Sequence, residues 1–225
     1  MFIGHYGLAY ALKRAEPKLS LGTLFLAVQL VDLAWGATIL LGWERVVIAP
    51  GWTAASPLQF VSYPLTHSLL AAGLWAAAAG IAWYTWPTRD TSRHGRAALV
   101  VALAVASHWF LDAVVHVPDL PLAGDDTRKI GLGLWNSIPW TFTVELALLG
   151  VGLALYLTGG SRKHPVRRAW AIGFTTVLAA MYVATTLGPP PPSVTAIGIG
   201  AIVTLLTLAA IGAWIDRGRA GTAAR

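Results

Sequence analysis

The 225-residue chain is 56% hydrophobic and only 12% charged, which excludes an ordinary soluble globular domain. Its formal net charge of +6 sits in short loops between apolar runs, a topology signal that argues against nucleic acid as a partner. Without cysteine the chain has no disulfides and no thiolate metal ligands.

The segment from Met1 to Arg14 is apolar, contains glycine and ends in Lys13-Arg14. It has no basic stretch before its apolar part and no small-residue cleavage site, so it is not expected to be a removable signal peptide. It is too short to span a bilayer and predicts a half-helix or an interfacial segment. A first span runs from about Leu21 to Trp43 and carries Gln29 and Asp32. A second covers about Leu58 to Trp86, with His67 in its first third and Trp83, Tyr84 and Trp86 as an interfacial aromatic anchor. The third, about Ala97 to Val117, holds His108, Asp112 and His116 at spacings of four, which share one helical face. The fourth, about Leu132 to Leu157, contains Asn136 and Glu145. The fifth, about Ala169 to Leu187, and the sixth, about Ser193 to Ile215, contain no charge and are joined by Pro189 to Pro192. The expected fold is an all-α polytopic membrane helical bundle, with about six transmembrane helices and a short N-terminal half-helix in a single domain.

Loop charge orients that bundle. Lys13, Arg14 and Lys18 outweigh Glu16, whereas Glu44 and Arg45 cancel. Arg89, Arg93 and Arg96 outweigh Asp90, and Asp119, Asp125 and Asp126 outweigh Arg128 and Lys129. Arg162, Lys163, Arg167 and Arg168 stand without an acid, the proline loop is uncharged, and Arg217, Arg219 and Arg225 outweigh Asp216. The alternating positive excess predicts both termini on the cytoplasmic side.

Ionisable groups at membrane depth are costly and face a protein interior, a partner or a metal. At about 1.5 Å per residue, Asp32, His67, His108, Asp112 and Glu145 fall between the midplane and the outer third of a hydrocarbon core about 30 Å thick. Histidines and carboxylates without cysteine form a borderline-to-hard site for one divalent metal, zinc first, with manganese and iron as alternatives. The candidate ligands are His67, His108, Asp112 and Asp32. His5 joins them only if the N-terminal half-helix re-enters the membrane. Glu145 and His116 are the candidate proton carriers, with Glu145 alternatively bonded to Thr141, and His116 and Asp119 belong at the outer rim. His94 and His164 fall in basic loops and are expected to be solvated. Such a site suits metal-dependent hydrolysis of a lipid-like phosphoester or ester, with membrane lipid as the partner. An ion- or proton-coupled transporter using the same cluster, or a non-catalytic subunit, would also need these groups.

Gly4-His5, Asp32, Thr66-His67-Ser68 and Ser107-His108 with Asp112 follow one another in an order that resembles a bacterial family of membrane-bound metal-dependent hydrolases. These are relatives of a DNA-damage-inducible inner-membrane protein and are more distantly similar to zinc-dependent phospholipase C. The resemblance covers about the first 120 residues. It implies residence in the bacterial inner membrane, a bound metal and hydrolytic activity. The chain departs from the family pattern twice. Val31-Asp32-Leu33-Ala34 keeps a single acid where the family has two aspartates and a histidine, and Tyr63-Pro64-Leu65 stands where a histidine commonly precedes Thr-His-Ser. These losses leave room for one ion.

Overall fold

The computed structural model describes residues 1–87, 94–159 and 165–216. The loop charges at Arg89, Asp90, Arg93, Arg162, Lys163, Arg217, Arg219 and Arg225, together with His164, lie outside the described residues. The described chain is mostly helical. In order it forms α1 (Ile3–Ala15), α2 (Leu21–Val28), α3 (Leu30–Leu40), β1 (Arg45–Ile48), β2 (Leu58–Ser62), α4 (Pro64–His67) and α5 (Leu69–Thr85). Then follow α6 (His94–Val115), β3 (Leu120–Pro121), β4 (Lys129–Ile130), a 3-10 turn at Leu134–Asn136, α7 (Ile138–Thr158), α8 (Pro165–Leu187) and α9 (Val194–Asp216). Four helices, α6 to α9, are long and apolar enough to cross a membrane, and α2 with α3 makes a fifth if this pair, bent by 52°, counts as one span.

Three boundaries differ from those expected. Leu58–Ser62 is a strand, paired antiparallel to β1 through Val46 with Phe60 and Ile48 with Leu58. Both segments are rich in β-branched and aromatic residues, and Pro57 and Pro64 bracket the second, so strand pairing wins over helix. The helical part of this region starts at Pro64, and Ser68 restarts it as α5 by accepting from the Ala71 amide. Ser137 closes the 3-10 turn, so α7 begins at Ile138 rather than near Leu132. Finally, α6 ends at Val115, which places His116 just outside it.

The N-terminal segment is neither peripheral nor interfacial. In α1, Ile3, His5, Tyr6, Ala9 and Tyr10 are fully buried. Gly7 lies against Gly152 of α7, backbone to backbone, so closely that a Cβ on either would collide with the other chain segment. Small residues permit such close approach between membrane helices. At its C-terminal end α1 is tied to one end of the bundle. Lys13 Nζ pairs with Asp216 Oδ2 at 2.5 Å and Arg14 Nη1 donates to Thr158 Oγ1 at 3.3 Å. Asp216 also accepts from the Leu21 amide, and Arg96 donates to the Ala15 carbonyl. Thirteen residues of helix span about 20 Å, so the other end of α1 stops inside the bundle.

Two hairpins cover the opposite end. The β1–β2 hairpin turns through Gly51, whose φ of 84° favours glycine. Phe60 on β2 packs on His116, with ring centroids 4.9 Å apart, and on Trp135. The short β3–β4 hairpin pairs Leu120 with Ile130, and the Leu122 carbonyl accepts from the Leu70 amide.

Candidate metal centre

Asp112, in the last turn of α6, sits at the centre of the polar cluster. Its Oδ1 lies 3.1 Å from His5 Nε2 and accepts from the Met1 amino group at 2.5 Å. Its Oδ2 lies 3.2 Å from His108 Nε2 and 3.7 Å from the Nε2 atoms of both His67 and His116. Across from it, Asp32 Oδ1 lies 3.2 Å from His67 Nε2 and 3.5 Å from His108 Nε2. His5 stacks flat on His108, with ring centroids 4.1 Å apart. The structure therefore brings together His5, Asp32, His67, His108 and Asp112. His5, His108 and Asp112 form one set that could hold a metal ion, and Asp32, His67 and His108 form another.

The two breaks in the helices produce this convergence. Gln29, with non-helical φ/ψ, separates α2 from α3 and turns Asp32 toward α6. The four-residue turn α4, opened by Pro64 and closed by the extended Ser68, carries His67 at its last position. His108 and Asp112 need no such device, because the i, i+4 spacing stacks them on one face.

Both central histidines have their far nitrogen engaged. His108 Nδ1 donates to the Val28 carbonyl at 2.8 Å, at the last residue of α2. His67 Nδ1 donates to Thr66 Oγ1 at 2.8 Å, and Thr66 in turn donates to Glu44 Oε2 at 2.8 Å. Glu44 is buried and also accepts from the Thr66 amide and from Thr38 Oγ1. Protonation at Nδ1 leaves each Nε2 as a lone pair. Each Nε2 then faces carboxylate oxygens, an arrangement that is stable when a cation lies between them or when the ring carries a second proton. At Asp112 the Met1 amino group already brings one positive charge. His108 Nε2 is buried with no hydrogen-bond partner.

The spacing suits that cation. Ligands about 2.0–2.1 Å from a tetrahedral zinc are about 3.4 Å from one another. The four separations between His67 or His108 and Asp32 or Asp112 are 3.2, 3.5, 3.2 and 3.7 Å. Three of the five donor residues are no more than 2% exposed at the side chain and Asp112 is 3% exposed, whereas Asp32 is 24% exposed. The open side of the cluster is therefore at Asp32.

Glu145 has a different place from the one expected. Its Oε2 accepts from the amides of Phe2 at 2.9 Å and Gly4 at 3.1 Å, and its Oε1 accepts from Tyr182 at 3.1 Å. It satisfies the unpaired N–H groups at the buried start of α1 and complements that helix's dipole. Thr141, its expected partner, donates to the Leu134 carbonyl instead.

His116 meets the cluster from the hairpin end. Its Nδ1 lies 2.9 Å from Asp119 Oδ1, and Tyr63 donates to the same oxygen at 2.9 Å. Burial holds His116 below its ordinary imidazole range and, together with the Asp119 charge, raises Tyr63 above the usual phenol range. With its Nδ1–H donated to Asp119, His116 turns its Nε2 toward Asp112 and packs its ring on Trp135.

Sequence reasoning missed Glu44 and Tyr63. Glu44 reads as a loop charge balanced by Arg45, and only the threonine directly before His67 hinted that an oriented partner was needed. Of the expected solvated histidines, His94 is half-buried and its Nε2 donates to the Tyr84 carbonyl at 2.7 Å. Comparisons with protein families, curated proteins and solved structures find no match to this chain.

Proposed function

We propose that the chain is a membrane-embedded, metal-dependent hydrolase of a lipid-like phosphoester or ester. The observation that carries this reading is the pair of Nδ1-committed histidines whose Nε2 atoms face two carboxylates, within two overlapping sets of ligands that could each hold a metal ion. His67, His108, Asp32 and Asp112 would hold the ion, zinc first and manganese or iron next, with His5 as an additional ligand through Asp112's side. When bound, the ion supplies Lewis acidity for a phosphoryl or acyl oxygen and makes water more acidic.

The chain's own residues supply the proton path. Asp119 keeps the Nδ1 proton on His116, so His116 Nε2 accepts the proton of the attacking water as the new P–O or C–O bond forms. The same imidazolium then protonates the leaving alkoxide as the ester bond breaks. Glu145 keeps α1, and hence His5, in place by satisfying the amides of Phe2 and Gly4. The ordered motifs shared with membrane-bound metal-dependent hydrolases support the same assignment. In this reading there are six spans, the α2–α3 and α4–α5 pairs each counting once, with Lys13, Arg14, Lys18 and Arg96 at the cytoplasmic face of a bacterial inner membrane.

Turnover of a lipid phosphate or phospholipid in proteoliposomes tests the proposal. It is expected to vanish in Asp112→Asn and on chelation, and to fall about 10²- to 10⁴-fold in His116→Ala with the metal retained. Turnover that survives both Asp112→Asn and chelation contradicts it. The bend between α2 and α3 at the depth of Asp32 favours a second reading, a proton- or ion-coupled carrier, since transporters use interrupted helices at such sites. Flux that depends on Asp32 in the absence of hydrolysis would select it.

A further inference from the structure

The last two helices take no part in the polar cluster, yet they wall one of its cavities. A cavity of about 370 Å³ runs from Asp32, His67 and Asp112 to Met181 on α8 and to Gly200 and Ala201 on α9. Its size falls within the range that accommodates a small-molecule ligand. Gly200 is exposed, and a Cβ added there meets no atom within 4 Å. Thr185, on the facing side of α8, is exposed as well. The cavity therefore opens outward between the two helices. At their other ends the pair is held together by Trp170 and Trp214, whose rings meet edge to face at 5.2 Å.

A second cavity of about 450 Å³ adjoins the first, sharing Phe2, Ser56, Leu58, Trp135 and Thr185. Its walls include Thr53, Thr186 and the proline-rich connector, so it lies at the hairpin end of the bundle and is more polar. The only cluster carboxylate with appreciable exposure, Asp32 at 24%, faces the first cavity. From Ala169 to Ile215 the chain carries no charge, so neither helix brings an ionised group to the α8–α9 opening, which suits contact with hydrocarbon.

We propose that the α8–α9 cleft is a hydrocarbon-chain subsite, through which a lipid phosphoester reaches the metal centre sideways from the bilayer. The acyl chain lies along Gly200, Ala201 and Met181. The phosphoester lies in the first cavity beside Asp32, and the headgroup reaches past the shared wall at Ser56 and Thr185 towards the more polar cavity. The substrate class rests on the hydrolase reading, whereas the subsite can be tested without turnover.

The probe is a phosphatidic acid carrying a diazirine near the middle of one chain, photolysed in proteoliposomes with the full chain. Labelling is expected to concentrate on the cavity-lining Met181, Ile197, Ala201, Thr204 and Leu205 and to fall at least five-fold in Gly200→Trp. The open space at Gly200 admits that side chain without touching the packed core, and Ala201→Phe narrows the cleft as a second variant. Ile199→Trp, at an exposed neighbour outside the cavity, should leave labelling unchanged. Labelling spread evenly over the exposed faces of α5 and α7, or unaffected by both Gly200→Trp and Ala201→Phe, overturns the subsite. Metal content measured on the same samples separates the two proposals. Cleft labelling without bound metal refutes the hydrolase reading alone, and bound metal without cleft labelling refutes the subsite alone.

Discussion

The helices α1 and α9 exchange the places that hydrophobicity would assign them in water. α9 has the highest mean hydropathy of the candidate spans, 2.3, yet only 17% of its apolar window is buried. α1, with Lys13, His5 and two tyrosines, is buried along almost its whole length. A bilayer rewards an apolar surface on the outside, whereas polar groups must find partners within the protein. In α1 burial follows from polar chemistry and close backbone packing, and in α9 exposure follows from hydrophobicity.

If that inversion is right, the largest losses come from small changes in α1. Gly7→Leu or Gly152→Leu forces the α1 and α7 backbones apart, and overpacking of this kind costs at least about 1–3 kcal/mol. The expected outcome is a large fall in the folded, monodisperse fraction in detergent. Gly173→Leu on exposed α8, where a Cβ meets nothing within 4 Å, should change thermal stability by no more than about 0.5 kcal/mol. Equal sensitivity at Gly7 and Gly173 would break the comparison. Lys13→Ala leaves Asp216 buried without its cation, and loss of one partner of a buried pair costs about 3–5 kcal/mol. Chemical denaturation against wild type measures it, and a change below about 1 kcal/mol would show that α1 is not anchored at this end.

A smaller effect is expected from the groups that orient the ligands. Thr66→Val removes the acceptor for His67 Nδ1, and Glu44→Gln weakens the hold on Thr66. Loss of such supporting hydrogen bonds lowers metal affinity by about 10- to 100-fold, which competition with a chromogenic chelator would read. A comparable effect belongs to Arg96, whose side chain is 53% exposed but whose partner Glu16 is buried. Arg96→Ala leaves the Glu16 carboxylate buried without this cation and should cost about 1–3 kcal/mol, and a loss below about 0.5 kcal/mol would mean that Glu16 does not depend on Arg96.

Much of the site was legible because its chemistry is local. The i, i+4 pair of His108 and Asp112 needs only helical spacing, and an unpaired carboxylate such as Asp32 has to find a partner wherever the chain goes. The late spans were equally plain, since uninterrupted apolar length marks them out. Leu58–Ser62 misled because an apolar run cannot by itself distinguish strand from helix, and here proline on both sides decided the outcome. α1 was harder still. Its length argued for a half-helix, but its burial depends on Gly7 meeting Gly152, a contact across 145 residues that no local pattern encodes. In sequence, Glu44 reads as a loop charge and Glu145 as a candidate proton carrier. Their roles depend on amides and hydroxyls brought to them by other helices.

Metal content of the purified protein tests the central claim most directly. Elemental analysis after dialysis should find about one zinc, manganese or iron ion per wild-type chain, and none in His108→Ala or Asp112→Asn when both variants remain folded. A wild-type protein without stoichiometric metal, or metal unchanged in both variants, would contradict the account.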